Sequence, residues 1–208
     1  MTAEQLPSDR PDVQQLVGPQ FQALADALAA LPSTVGDRAS LCEGWTVRNV
    51  IAHLTMAARH DGPAFQTELA AAGYDFQTLS DSIAQRDGEM PLDVLVDNLR
   101  SATMADWAPP GGGAAGALSH VVIHGLDITS AVGLQRTASD EATITVLNGL
   151  TAGDAHQHFG TQIQGLKLTA TDLDWTYGDG TAINAEAGDL VLALAGRPRP
   201  AIDLASAR

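Results

Sequence analysis

One helix governs what this chain can become. Between Ala114 and Val132, the residues Ala117, Leu118, Val121, Val122, Ile123, Leu126, Ile128 and Val132 leave almost no polar face. A helix that is apolar nearly all round belongs at the centre of a helical fold. Its main polar side chains, His120, His124 and Asp127, share one side. Buried polar groups need partners, so these three residues must be answered from elsewhere in the chain. Two histidines four apart sit about one turn from each other, and imidazole is the commonest protein metal ligand. The pair is therefore half a metal site. The same spacing also suits two core histidines that are merely hydrogen-bonded.

The rest of the chain supplies helices to surround that one. Leu16, Val17, Phe21, Leu24, Leu28 and Leu31 recur at helical spacing. They predict a helix over 13–31 whose regular part begins near Pro19. Thr46 is a good N-cap, and Val47, Val50, Ile51 and Leu54 form the buried stripe of a second helix. That helix should reach about His60, break at Gly62-Pro63 and resume through Ala71. A short helix is expected over 79–84 and a clearer one from Pro91 to about Ala105. Pro109-Pro110-Gly111-Gly112-Gly113 then interrupts the chain. No strand precedes this glycine run and no Lys-Ser/Thr follows it, so a phosphate-binding loop is a poor reading. Asp140 to Leu150 predicts another helix. From about residue 160 the pattern changes. Alternation over 166–171, 174–177 and 181–185, followed by Leu190 to Leu194, predicts a small α+β appendage.

Charge excludes some partners. With 25 acidic against 11 basic side chains the formal charge is −14. Nucleic-acid affinity rests on neutralising phosphates, so neither nucleic acid nor an anionic membrane surface is expected. No apolar run approaches the length of a membrane span, and the polar start lacks a signal-peptide core. The single cysteine, Cys42, rules out an internal disulfide and fits a cytoplasmic setting. A small-molecule substrate is the expected partner, with a homodimer left open. Ten of the eleven basic residues are Arg, the exception being Lys167. With the abundance of Ala and Gly, this points to a GC-rich bacterial source.

A catalytic zinc typically takes three protein ligands and keeps a fourth position open. After His120 and His124, the remaining histidines are His53, His60, His156 and His158. His53 lies in a strongly patterned helix able to pack on the 114–132 helix, which makes it the preferred third ligand by a small margin. Asp127 could orient a ligating imidazole from behind or be a simple packing carboxylate. Cys42, several residues before the second helix, is a weak candidate nucleophile, Trp45 reads as a packing anchor and Arg48 as a solvated residue that could meet an acidic substrate. No general acid or base is assigned.

Three separated blocks carry a family resemblance. Leu41-Cys42-Glu43-Gly44-Trp45-Thr46-Val47-Arg48-Asn49-Val50-Ile51-Ala52-His53-Leu54 resembles the signature opening the second helix of the mycothiol-dependent maleylpyruvate isomerase family, in the DinB-like superfamily. His120-Val121-Val122-Ile123-His124-Gly125-Leu126-Asp127 resembles its second signature. Ala170 to Gly180, followed by Leu190 to Pro198, is similar to its short C-terminal segment. The resemblance implies a mainly α, DinB-like four-helix bundle over 1–158 and a small C-terminal α+β segment over 159–208. It also implies a divalent metal held by three side chains, His53, His120 and His124. Zinc comes first, with nickel, cobalt or iron as alternatives. At position 120 the characterised isomerase has a glutamate, while other superfamily branches use three histidines. Three neutral ligands leave the centre at +2, which favours an anionic fourth ligand.

The resemblance further implies mycothiol as thiol cosubstrate. The expected function is that of a metal-dependent, thiol-using isomerase or S-transferase, working on a small molecule through a metal-bound thiolate. A hydrolase using metal-bound hydroxide is the alternative, and a non-catalytic metal- or small-molecule-binding module is the third reading.

Overall fold

The computed structural model describes residues 12–153, 158–199, 202 and 204. Ten helices and a three-stranded sheet are found among them. Helix α1 (Val13–Ala29) begins because Asp12 caps it, its carboxylate accepting from Gln14 N at 3.1 Å. Pro19 lies inside α1 rather than at its start. The loss of one backbone donor is outweighed by burial of Val17, Phe21, Leu24 and Leu28 on the core face.

The stretch after Thr46 divides into α2 (Val47–Leu54), α3 (Met56–Arg59) and α4 (Gly62–Ala71). The break at Thr55 was not anticipated, and its cause is side-chain capture of backbone carbonyls. Thr55 Oγ1 donates to Ile51 O at 2.7 Å, and the Arg59 guanidinium donates to Ala52 O and Thr55 O. Helix α5 (Phe76–Asp87) is longer than expected at both ends. The helix predicted from Pro91 splits at Arg100 into α6 (Leu92–Leu99) and α7 (Ala102–Asp106), because Ser101 turns out of the helix to cap α7.

Helix α8 (Gly113–Val132) is the central element, closed by Gly133 at φ 76°, a left-handed turn that glycine adopts without strain. It packs against α1 and α2, both of which also pack on α6, so the four helices close into a ring. On its other side α8 meets α9 (Asp140–Thr151) and α10 (Ala187–Leu194). By length and composition α8 could cross a membrane, with mean hydropathy 1.2, which corrects the expectation that no run comes near a span. Val121, Val122, Leu126 and Ile128 are 5% exposed or less, as befits a core helix.

The C-terminal strands are β1 (Leu166–Ala170), β2 (Thr176–Tyr177) and β3 (Thr181–Ala185), in the order β2-β1-β3. β1 runs antiparallel to β2 and parallel to β3, pairing Leu168 with both Tyr177 and Ile183. Leu166, Leu168 and Ala170 turn inward and join the same hydrophobic cluster as α1 and α8. The molecule is thus mainly α, with a small C-terminal α+β part continuous with its core.

Candidate metal centre

The end of α2 and the middle of α8 face each other and bring three imidazoles together. Thr46 and Asn49 form a reciprocal cap that fixes the start of α2, with Thr46 N donating to Asn49 Oδ1 at 2.8 Å. Two turns later α2 presents His53, buried at 8% exposure. Helix α8 presents His120 and His124. The centroids of the His53, His120 and His124 rings lie 4.8–5.0 Å apart in edge-to-face pairs. His120 Nε2 and His53 Nε2 are separated by 2.9 Å. Each ring offers a nitrogen within 4.8 Å of the other two. Two ligands at ~2.0–2.1 Å from one tetrahedral ion stand about 3.3–3.4 Å apart, so this spacing needs only a small adjustment to suit a single cation.

The protonation states favour the same use. Burial pushes His53 down to about 3, with the neighbouring His124 and Arg197 adding to the effect. Burial, then His53 and His124, holds His120 well below its ordinary value. Both rings are therefore neutral near pH 7 and have lone pairs to give. His120 Nδ1 is buried without a partner among the described residues. Neutral imidazoles crowded edge to face, one carrying an orphaned nitrogen, form a donor set short of a cation, and a divalent metal fits it.

Each ring is steered from outside. His53 Nδ1 lies 2.9 Å from Ser80 Oγ on α5, leaving Nε2 toward His120. His124 Nδ1 lies 3.0 Å from Asp127 Oδ2. Trp45 leans on His53 and Trp107 on His120, at centroid distances of 5.1 and 5.2 Å. Asp127 is wholly buried. Burial would raise its pKa, but hydrogen bonds from His124 and Arg197 hold it well below the usual carboxylate range. Cys42 Sγ donates to Asp127 Oδ2 at 3.1 Å and lies 3.6 Å from His124 Nδ1. Burial first, then the Asp127 charge, pushes the thiol up to about 12. Cys42, His124 and Asp127 also lie close enough to share an ion. Arg197 already occupies both carboxylate oxygens, so this group serves better as support behind His124.

A cavity of about 1790 Å³ reaches these rings, walled by α3, α4 and α5 on one side and by α8 and the Trp107–Pro110 segment on the other. The other sequence candidates stand outside the three-ring cluster. His60 sits in an ion cluster, 2.8 Å from Asp87 Oδ2. His158 is exposed and stacks on Phe159. His156 lies outside the described residues. Arg48 pairs with Asp37 at 2.8 Å and donates to Met90 O, away from the cavity lining. Ser80, Trp107 and Arg197 escaped the sequence reading. Ser80 and Trp107 follow no local pattern, and Gly196-Arg197-Pro198 reads only as a helix stop.

Residues 17–118 match the family described as the mycothiol maleylpyruvate isomerase N-terminal domain. The chain carries that family's N-terminal domain over about half of its length. No curated protein sequence matches it. Among solved structures it is similar to a mycothiol-dependent maleylpyruvate isomerase at 17% identity and a TM-score of 0.57, covering 89% of this chain and 88% of the other. A histidine-to-alanine mutant of that enzyme aligns over the same shares at 15% identity and a TM-score of 0.56. At such identities the likeness establishes the shared fold. The family match takes in α2 and His53 and ends at Leu118, two residues before His120.

Proposed function

We propose that this protein is a metal-dependent, thiol-using enzyme, a mycothiol-dependent isomerase or S-transferase acting on a small molecule. The observation carrying this reading is the convergence of His53, His120 and His124 at a large cavity in a chain that carries the mycothiol maleylpyruvate isomerase N-terminal domain. The three imidazoles would hold the metal, zinc in the first instance. When bound, such an ion lowers the pKa of a thiol that reaches it.

The chain's own residues do the rest. Asp127 accepts the His124 Nδ1 proton and so leaves Nε2 with its lone pair. Ser80 fixes the His53 ring in the same way. Trp45 and Trp107 cover the rings and limit water. Cys42 is committed as a donor to Asp127 and is the chain's only cysteine, so the reacting thiol must arrive with a cosubstrate.

The test is spectroscopic. Cobalt-substituted protein titrated with mycothiol should develop a thiolate-to-metal absorption band. Its absence at saturating thiol removes the mechanism. Turnover without thiol would favour hydrolytic use of the site, and a bound ligand with no turnover would favour a binding module.

A further inference from the structure

The charge lining of the cavity indicates what kind of second molecule it takes. Leu41, Phe65, Phe76, Trp107, Ile123 and Phe159 give it a largely apolar wall. Its described charged residues are Arg59, Arg197, Glu43, Asp61 and Asp81, besides the histidines.

Both arginines are already spent within the protein. Arg59 donates through Nε to Asp87, through Nη1 to Thr55 and through Nη2 to Ala52 O at 2.6 Å. Arg197 donates through Nε and Nη2 to the two oxygens of Asp127, and through Nη1 to Ala195 O. Asp87 and Asp127 lie behind the cavity wall, so each guanidinium faces the cavity already neutralised. His60 is engaged by Asp87 and Glu68.

No such neutralisation reaches the acids. Asp81 accepts from the uncharged Trp45 Nε1 and Gln77, and Asp61 caps α4 through the backbone N–H of Ala64. Glu43 is exposed and has no cationic partner among the ion pairs of the described residues. Among the described residues the lining therefore presents a net negative field with no arginine fork open to a carboxylate. The positive charge of a metal on three neutral imidazoles would be answered in part by the thiol cosubstrate, as a thiolate.

We infer that the second substrate of this protein is an uncharged, largely apolar small molecule, and that the cavity discriminates against carboxylates. The inference rests on the function proposed above for the identity of the cavity, and it sets this chain apart from a dicarboxylate-using isomerase.

A matched pair of probes tests it. Methyl cinnamate and cinnamate share one apolar body and differ by one charge. Binding to the zinc-loaded protein in the presence of saturating mycothiol can be followed by quenching of Trp45 and Trp107, which line the cavity. The ester should bind at least about tenfold more tightly, since like charges across an interface are costly. In the combined Glu43→Gln, Asp61→Asn, Asp81→Asn protein that ratio should fall toward unity, the amides keeping the cap and the Trp45 contact. Cinnamate binding as tightly as the ester, failure of the ester to bind, or an unchanged ratio in the triple variant overturns the inference. The cobalt spectrum reads thiol binding separately. Ester preference without a thiolate band upholds the charge discrimination and removes the thiol-enzyme proposal; a band with acid preference does the reverse.

Discussion

Arg197 closes on Asp127 with two hydrogen bonds, Nε to Oδ1 at 3.0 Å and Nη2 to Oδ2 at 2.8 Å. The contact joins the C-terminal segment to the middle of α8, and Asp127 in turn holds His124. One ion pair therefore ties the chain end to the candidate centre. Removing one partner of a buried pair leaves an uncompensated charge. Arg197→Met should accordingly cost about 3–5 kcal/mol in denaturant unfolding. The double change Arg197→Met with Asp127→Asn should recover part of that loss. A double-mutant cycle with no coupling would show that the pair does not act as a unit.

The three histidines are predicted to hold the metal together. His53→Ala, His120→Ala and His124→Ala should each leave the purified protein with less than half the zinc of the parent, read by elemental analysis alongside circular dichroism to confirm folding. Full retention in both α8 variants would sink the assignment. Ser80→Ala and Asp127→Asn leave the three ligands in place but alter the contacts that orient His53 and His124, the second also loosening the Arg197 pair, and should weaken metal affinity by roughly 10–100-fold.

How much of this was legible in the sequence follows from how local each signal is. The apolar repeat of α8, the Thr46 cap and the alternation of β1 are written in neighbouring residues, and all three formed as expected. His120 and His124 stood out because they break an otherwise apolar surface, and Asp127 because it follows them on the same side. The breaks at Thr55 and Arg100 depend on the capture of carbonyls by Arg59 and on a cap by Ser101, which periodicity does not register. Ser80, Trp107 and Arg197 reach the centre only through tertiary packing, 27 positions from His53, 13 from His120 and 70 from Asp127 respectively. The family resemblance makes Cys42 structural, and it lies against His124 and Asp127, contacts that its place before α2 does not signal.

Acid should loosen the cavity wall through Asp87. This buried carboxylate meets Arg59 Nε at 2.8 Å, Arg86 Nε at 2.9 Å and His60 Nε2 at 2.8 Å, linking α3 to α5. Burial alone would raise its pKa, but the hydrogen bonds from His60, Arg59 and Arg86 lower it below the ordinary value. A depressed folded pKa means that the stabilisation is complete above the unfolded carboxylate value of about 3.9 and is lost as pH falls from there through the folded value. Asp87→Asn should therefore destabilise the protein by about 3 kcal/mol at pH 7. It should also flatten the acid limb of a stability–pH curve below about pH 4. A parallel offset, with the acid limb unchanged, would move the acid sensitivity to another group.

Cys42 should resist labelling in the folded protein. Its thiol donates to Asp127 and is only partly accessible, and burial beside the Asp127 charge pushes its pKa up to about 12, so that very little of it is thiolate at pH 7. Reaction with a disulfide reagent at pH 7 should be slower than that of the unfolded chain by at least about 100-fold, because the thiolate is the reacting form. Asp127→Asn removes the charge that opposes ionisation and should speed labelling while the fold, followed by circular dichroism, is retained. Labelling of the folded parent as fast as that of the unfolded chain would mean that Cys42 is free of Asp127 in solution, and Asp127 would then have only Arg197 and His124 as partners.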